Sequence, residues 1–162
     1  MSVYTKVIIA LLFLLTMTAF AQYAYPMQGA ASTPAPTSQT YTIMTANNSS
    51  VGTYLTDNSG MTLYHLTTDE GKNMSTCTSV ACKGSWPLFY NATINVPPNL
   101  NSRDFGNIMV NGNKQTTYKG WPLYYYIGDK KKGDINGQGK GGVWSVVDPE
   151  SSNTFPTSFP YK

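Results

Sequence analysis

The stretch Trp121-Pro122-Leu123-Tyr124-Tyr125-Tyr126-Ile127-Gly128-Asp129 decides the fold, because the chain contains a weaker copy of it. The copy, Met61-Thr62-Leu63-Tyr64-His65-Leu66-Thr67-Thr68-Asp69, lies sixty positions earlier. Both stretches contain Leu-Tyr and, after four further residues, Asp. A Trp follows each stretch, so the sequence predicts two structural repeats. The repeat motif comprises Leu63, Tyr64, Asp69, Trp86, Leu123, Tyr124, Tyr126, Asp129 and Trp144.

Each repeat contains residues that favour a β-hairpin. In the first, the Thr/Tyr/Leu-rich runs 51–56 and 61–66 flank the turn residues 57–60. In the second, Asn111-Gly112 follows a β-compatible run and favours a type I′ turn before residues 114–118. A unit of this size cannot bury one face alone. We therefore predict an all-β fold, a small antiparallel domain of two hairpin-based repeats with pseudo-twofold character and irregular loops.

The composition favours one β-rich domain and excludes recognition based on charge. The 162 residues are 41% hydrophobic but only 12% charged, and they include 12 Tyr and 14 Gly. The surface is therefore polar through hydroxyl and amide groups, which suits β-structure. The net charge is +3, and the run Lys130-Lys131-Lys132 is typical of a solvated turn. Because no nucleic-acid-binding motif is present, we expect no nucleic-acid partner.

The N-terminal region differs in composition from the repeats. Lys6, an apolar run over residues 7–20 and Ala19-Phe20-Ala21 form the pattern of a signal peptide cleaved after Ala21. An uncleaved membrane anchor is the alternative, although such a run is shorter than the ~20 residues that span a bilayer. Residues 40–45 are β-compatible and are a candidate first strand. We expect a signal peptide at 1–21, a disordered Pro/Ser/Thr-rich linker or stalk at 22–45, the two-repeat β domain at 46–150 and a C-terminal tail at 151–162.

Residues of both repeats resemble a family of predicted secreted lipoproteins that carry a Tyr-x-aromatic-x-x-Asp repeat. The resemblance covers about residues 50–148 and implies an extracytoplasmic prokaryotic protein of tandem short repeats, whose biochemical role is unassigned. The first copy departs from the motif at Leu66, and no lipid-attachment Cys lies near the expected cleavage site. The resemblance depends on Thr62-Leu63-Tyr64, Asp69, Cys77, Cys82, Trp86-Pro87-Leu88, Gln115-Thr116-Thr117-Tyr118, Leu123-Tyr124-Tyr125-Tyr126, Asp129, Gly133-Asp134, Gly137-Gln138-Gly139 and Trp144.

Cys77 and Cys82 are the only cysteines of the chain. In an exported protein an even pair favours a disulfide. The closed loop is short, so we expect the bond to fix local geometry more than to add stability. A redox-active or metal-binding pair is the alternative, but four intervening residues do not match the two-residue spacing of thioredoxin-like motifs.

No catalytic constellation is recognisable in the sequence. His65 is the only histidine, and we expect an exposed strand residue because no nucleophile motif accompanies it. Blue-copper sites need two histidines, so this class is excluded. Asp69 and Asp129 end equivalent strands, and we expect them to accept hydrogen bonds from backbone N–H groups of the following turn. We therefore assign no catalytic residue and expect no enzyme activity.

The Gly-rich segment contains the one pattern that resembles a metal loop. Asp134, Asn136 and Gln138 place oxygen-bearing side chains at alternate positions before Gly139, like the start of a calcium loop. The position of the closing Glu is occupied by Ser145. Asp134, Asn136 and Gln138 are therefore incomplete metal candidates beside the simpler interpretation of a flexible loop, and we expect no cofactor.

The aromatic residues have two interpretations. They form two symmetric aromatic cores, or they present an exposed platform on which sugar rings of an envelope polymer stack. For the second interpretation we select His65, Tyr125 and Trp121 as the candidate binding surface. Tyr125, at the position equivalent to His65, is the residue that we expect to be most free to meet a partner.

Four Asn-x-Ser/Thr sequons are compatible with glycosylation in a host that has the enzymes for it. They lie at Asn47, Asn48, Asn73 and Asn91. Taken together, the sequence favours an exported cell-surface or secreted non-enzymatic module, with a binding or structural role at the cell envelope. Its expected partner is an envelope polysaccharide or another surface protein. The alternative is an accessory of extracytoplasmic redox or metal chemistry involving copper, iron or calcium.

Overall fold

The computed structural model describes residues 40–69 and 73–151. The predicted signal peptide, residues 22–39 of the predicted linker and residues 152–162 of the predicted tail lie outside this range. Within it, no helix is long and apolar enough to cross a membrane.

Short β-strands dominate the described residues, and all of their pairings are antiparallel, which confirms the all-β prediction. β1 pairs with β2, β3 pairs with β7, and β4, β5 and β6 form a three-stranded sheet. The helical segments are α1 (Val80–Ser85) and 3-10 turns at Thr67–Asp69, Ser102–Asp104 and Lys140–Gly142. The strands are β1 (Ile43–Asn48), β2 (Gly52–Asp57), β3 (Tyr64–Leu66), β4 (Phe105–Val110), β5 (Asn113–Tyr118), β6 (Trp121–Pro122) and β7 (Trp144–Val146).

The second predicted hairpin is present with the expected turn. β4 and β5 pair directly, with Val110 opposite Asn113. Both turn residues have positive φ, 49° at Asn111 and 80° at Gly112, as a type I′ turn requires.

The first predicted hairpin is only partly correct. Asp57 accepts the expected turn contacts and Thr56 bridges to Thr62, but β2 has β1 as its main partner. β3 pairs with β7 from the other repeat instead of with β2. A period-two pattern predicts a strand but not its partner, and here the strand after the turn crosses to the opposite half of the domain.

The first strand of the structure begins three residues before residue 46, the predicted start of the domain. β1 begins at Ile43, whose side chain is fully buried, and Thr42 N–H donates to Asn95 O at 2.7 Å. The β-compatible run 40–45 therefore contributes the first part of β1, and the linker ends before it.

The two repeats are related by an approximate twofold axis. Leu63 O accepts a hydrogen bond from Val147 N–H, and Leu123 O accepts the equivalent bond from Phe89 N–H. Each donor lies three residues after the motif Trp of the repeat opposite to its acceptor, so the backbone contacts repeat with the sequence motif. The pseudo-twofold character predicted from the sequence is confirmed.

The core consists of two packed clusters. The expectation of two symmetric aromatic cores is wrong, because both motif Trp and both motif Tyr meet in one central cluster. The second cluster is largely aliphatic, and it contains Ile43, Leu55, Leu63, Phe89, Tyr118, Leu123 and Val147. The central cluster contains Tyr54, Tyr64, Leu66, Cys77, Trp86, Tyr124, Trp144 and Val146.

Candidate functional site: crossed Tyr–Asp pairs and an adjoining cleft

The motif tyrosines bind the motif aspartates of the opposite repeat. Tyr64 donates from its hydroxyl to Asp129 Oδ2 at 2.7 Å, and Tyr124 donates to Asp69 Oδ2 at 2.6 Å. The two Tyr backbones also pair, with N–H to O distances of 2.8 and 2.9 Å. The twofold axis therefore passes between Tyr64 and Tyr124, and each repeat completes the other.

Each aspartate also accepts a hydrogen bond from the backbone seven residues further on. Thr76 N–H donates to Asp69 Oδ1 at 2.7 Å, and Asn136 N–H donates to Asp129 Oδ1 at 2.9 Å. The sequence predicts backbone bonds of this kind, and the structure places them at equivalent positions of the two repeats. Both carboxylates are thus bridges between a tyrosine and a loop.

The two motif tryptophans stack on each other at the centre. Trp86 and Trp144 have ring centroids 3.7 Å apart and planes 8° from parallel. Tyr64 meets Trp86 edge-on at 5.4 Å, and Tyr124 meets Trp144 edge-on at 5.0 Å. Edge-to-face contacts are a favourable aromatic geometry, so the two Tyr–Trp contacts add stability beyond the area that they bury.

Burial sets the protonation of the centre. It raises the pKa of the Tyr64 and Tyr124 hydroxyls well above the usual 10, and the hydrogen bonds to Asp129 and Asp69 raise them further. Burial also raises the pKa of Asp129, an effect that its bonds from Tyr64 and Asn136 oppose. At neutral pH both tyrosines are therefore hydrogen-bond donors and not free bases or nucleophiles.

A cleft of about 310 Å³ lies beside the β3–β7 sheet. Two of the predicted binding residues meet there, because the rings of His65 and Trp121 make an edge-on contact at 4.6 Å. His65 is half-buried, and its Nδ1 is buried with no hydrogen-bond partner among the described residues. The cleft is also lined by Tyr118, Lys119, Ser145 and Asp148.

The third predicted binding residue, Tyr125, is not free, and this prediction is wrong. Its ring packs edge-on against Phe89 at 5.6 Å, and its hydroxyl donates to Asp57 Oδ2 at 2.9 Å. Trp121 is only 7% exposed, so it cannot present a ring face as a platform. Both side chains contact residues of the first repeat. A strand pattern alone does not reveal such contacts between repeats.

The predicted disulfide is confirmed between Cys77 and Cys82. It joins the loop that holds Asp69 to the short helix α1. Ser79 caps this helix by accepting a hydrogen bond from Cys82 N–H at 3.1 Å. The bond therefore fixes the entry to α1 beside the central cluster, and Cys77 itself is fully buried.

The predicted metal candidates are engaged elsewhere. Asp134 Oδ2 accepts hydrogen bonds from the Lys130 and Lys131 N–H groups, and these bonds lower the pKa of the carboxyl. Gln138 Oε1 accepts from Val146 N–H at 2.8 Å, and the Asn136 amide donates to Gly128 O. In the described part of the chain, no group of three His, Cys, Asp or Glu side chains is placed to hold a metal.

The predicted glycosylation residues differ in their local structure. Asn48 and Asn91 are half-buried, and their side-chain oxygens accept backbone N–H bonds from Ser50 and Thr93. Asn47 and Asn73 are exposed. Glycosylation at these positions remains a prediction.

Three further residues contact the centre but are not part of the repeat motif. Ser75 Oγ lies 2.7 Å from the Tyr124 hydroxyl, and Gly137 N–H donates to the Tyr64 hydroxyl at 3.2 Å. Gln115 is fully buried and donates to Leu123 O at 2.8 Å. A glutamine inside a predicted strand was the one usable sign, because a polar residue at a core position must find partners there.

Comparison with known proteins supports the secreted-repeat resemblance over the second repeat. No curated protein and no solved structure matches the chain. A family model does match, over a segment that contains the complete Tyr124–Asp129 motif and Trp144. The family is described as secreted, which supports an extracytoplasmic location. Residues 109–148 thus match a family described as a secreted repeat of unknown function.

Proposed function

We propose that the protein is an exported, non-enzymatic module that binds a neutral, hydroxyl-rich partner in the cleft beside His65. The observation that carries this proposal is His65, which lines a cavity of about 310 Å³ and whose buried Nδ1 has no hydrogen-bond partner among the described residues. A buried polar atom without a partner costs about 1–3 kcal/mol, and a ligand that binds it recovers part of that cost.

The charges of the cleft favour a neutral ligand. Burial lowers the pKa of His65 to about 4, an effect that Asp69 partly opposes, so the imidazole is uncharged at neutral pH. Lys119 Nζ donates to Pro149 O at 3.0 Å and to Ser151 O at 3.3 Å. The one cation of the wall is thus held by carbonyl groups, and a hydroxyl group is a better match than an ion.

The size of the cleft favours a single sugar unit. Its volume is at the lower end of the range of small-molecule sites, which is about 300–1,000 Å³. Trp121 is too buried for ring stacking, so binding depends on hydrogen bonds in the cleft. We therefore select the terminal unit of an envelope polysaccharide as the partner.

The surroundings of His65 also favour binding over catalysis. Ser145 stands opposite His65 in the β3–β7 register, the one place where a hydroxyl and the imidazole are strand neighbours. No carboxylate among the described residues bonds His65 Nδ1, so nothing orients the ring as a general base. The motif aspartates are bonded to tyrosines instead.

Binding to purified envelope polysaccharides and their monosaccharides, measured by titration calorimetry, tests the proposal. We expect His65→Ala to weaken binding about tenfold, as loss of about 1.4 kcal/mol implies. Met109→Ala, on the exposed face of β4, is the matched control and should bind like the wild type.

Two results would count against this proposal. The first is that no polysaccharide or monosaccharide binds. The second is that binding is lost in Met109→Ala and retained in His65→Ala, which would mean that the saccharide binds at β4 and not in the cleft.

A further inference from the structure

A continuous series of oxidisable rings runs from the surface to both Tyr–Asp pairs. Tyr126 is half-buried and lies 4.5 Å from Trp86, which stacks on Trp144 at 3.7 Å. Trp144 contacts Tyr124 at 5.0 Å, and Trp86 contacts Tyr64 at 5.4 Å. These distances are measured between ring centroids, and they are short enough for neighbouring rings to be in direct contact. No aliphatic side chain therefore separates one ring from the next.

Each buried tyrosine has its own proton acceptor. Removing an electron from a phenol makes its O–H group strongly acidic, so the proton must leave when the electron does. For Tyr64 the acceptor is Asp129 Oδ2 at 2.7 Å, and for Tyr124 it is Asp69 Oδ2 at 2.6 Å. Short hydrogen bonds to carboxylates let the proton move without any rearrangement of the core.

The chain also contains a tyrosine that lacks one of the two features. Tyr125 donates to a carboxylate, Asp57, but its ring contacts Phe89, which is not readily oxidised. Tyr125 therefore combines its proton acceptor with a phenylalanine contact. Tyr64 and Tyr124 each combine a carboxylate with one of the two stacked tryptophans.

We propose that the centre is a one-electron redox site that serves oxidants at the protein surface, independently of ligand binding in the cleft. A one-electron oxidant, such as a high-potential metal complex or a peroxide-derived radical, removes an electron at Tyr126, and the phenolic proton of Tyr126 passes to the solvent. Tyr126 then regains an electron from Tyr124 through Trp144 and Trp86, or from Tyr64 through Trp86, and takes a proton back from the solvent. The phenolic O–H bond breaks, its proton forms the carboxyl O–H of Asp69 or Asp129, and a neutral tyrosyl radical remains. An electron from a reductant and return of the same proton restore the starting state.

Photogenerated tris(bipyridine)ruthenium(III) is the probe that tests this proposal, with the full chain in its folded, disulfide-bonded form. Electron paramagnetic resonance of freeze-quenched samples should show a tyrosyl radical. The Tyr64→Phe/Tyr124→Phe double variant should lose the long-lived radical, and formation of the radical should be slower in D2O because a proton moves with the electron.

Two further variants separate electron transfer from packing. Trp86→Phe keeps an aromatic ring but interrupts the route to Tyr124, so the radical on Tyr124 should be lost although circular dichroism shows a folded domain. Tyr64 should still form a radical, because its ring lies 6.4 Å from that of Tyr126. Tyr125→Phe is the matched control and should leave the radical yield unchanged. The proposal is overturned if the double variant gives the wild-type signal, if Tyr125→Phe abolishes that signal, or if the wild type forms no tyrosyl radical.

Discussion

The two Tyr–Asp pairs have the same geometry but different neighbours. In one, Tyr124 contacts Ser75 Oγ, and Cys77 N–H donates to that same oxygen at 3.1 Å. In the other, Gly137 N–H donates directly to the Tyr64 hydroxyl at 3.2 Å. Position 137 is equivalent to position 77, so a serine hydroxyl stands between loop and phenol in one half only.

This difference shows that the twofold symmetry is a property of the bonds and not of the residues that supply them. A tyrosine oxygen needs a partner at this point, and either a hydroxyl or a bare amide satisfies it. The amide reaches the oxygen only because residue 137 has no side chain. The contributions of the two halves to stability can therefore be measured separately, by substitutions that affect one loop and not its equivalent.

The largest effect is expected from Gly137→Ala. A Cβ at this position would lie 2.8 Å from two ring atoms of Tyr64 and 2.9 Å from Trp86. Such overpacking costs about 3 kcal/mol of unfolding free energy, measured by urea denaturation. Gly84→Ala, where a Cβ meets nothing within 4 Å, is the control; because Gly84 lies in α1, it should leave stability unchanged or raise it by up to about 1 kcal/mol. Equal stability of the two variants would show that the Gly137 contact is not tight.

Removing each hydroxyl in turn compares the two pairs directly. Tyr124→Phe leaves a fully buried Asp69 oxygen without its donor, whereas Tyr64→Phe affects Asp129, which is 7% exposed. We expect losses of about 2–3 kcal/mol for Tyr124→Phe and about 1–2 kcal/mol for Tyr64→Phe. Denaturant titration of both variants checks the order, and a larger loss in Tyr64→Phe would contradict it.

The disulfide sharpens the comparison because only the first repeat has one. The bond closes a loop between residues that are 5 positions apart, for which loop entropy predicts at most about 2 kcal/mol. We expect Cys77→Ala/Cys82→Ala to lose about 1–2 kcal/mol and to melt identically with and without reductant. Hydrogen exchange should then increase at the Thr76 amide more than at the Asn136 amide. Equal acceleration at both amides would mean that the two loops are not independent.

The smallest effect concerns His65 and its equivalent, Tyr125. Burial lowers the pKa of His65 to about 4. Between about pH 6.5 and about pH 4 the unfolded chain binds a proton that the folded chain does not, so stability falls as pH decreases through this window. We expect a loss of roughly 1 kcal/mol after allowance for partial exposure.

The difference in unfolding free energy between the wild type and His65→Gln isolates this contribution. That comparison is needed because Asp129 acts in the opposite direction. Burial raises its pKa, so its folded form takes up a proton more readily as the pH falls. Parallel pH profiles for the wild type and His65→Gln would contradict the prediction.

The sequence predicted the fold class, the twofold relation and the disulfide because each depends on local spacing. The repeated interval from Leu-Tyr to Asp predicts that the same hydrogen bonds form in both repeats. Asn111-Gly112 favours one turn type, because both residues readily adopt positive φ. It did not predict that Tyr64 binds Asp129 instead of Asp69. Spacing along the chain does not say which of two equivalent carboxylates a side chain reaches.

The cleft was predictable only in part, for a related reason. His65 and Trp121 are proposed from the sequence as binding residues, and the structure brings their rings into contact. Tyr125 was selected on the same grounds, yet it packs on Phe89. Strand alternation gives two faces but does not say which face the other repeat covers.

The crossed bonds also determine how the chain can fold. The Tyr64–Asp129 bond joins residues 65 positions apart, and the Tyr124–Asp69 bond joins residues 55 positions apart. Contacts between residues so distant in sequence form late, because loop closure must be completed before they contribute any energy. The N-terminal half alone lacks Asp129, which binds the Tyr64 hydroxyl, and β7, the strand that pairs with β3. We therefore expect folding to be slow and all-or-none, and to be completed only once β7 is available to pair with β3.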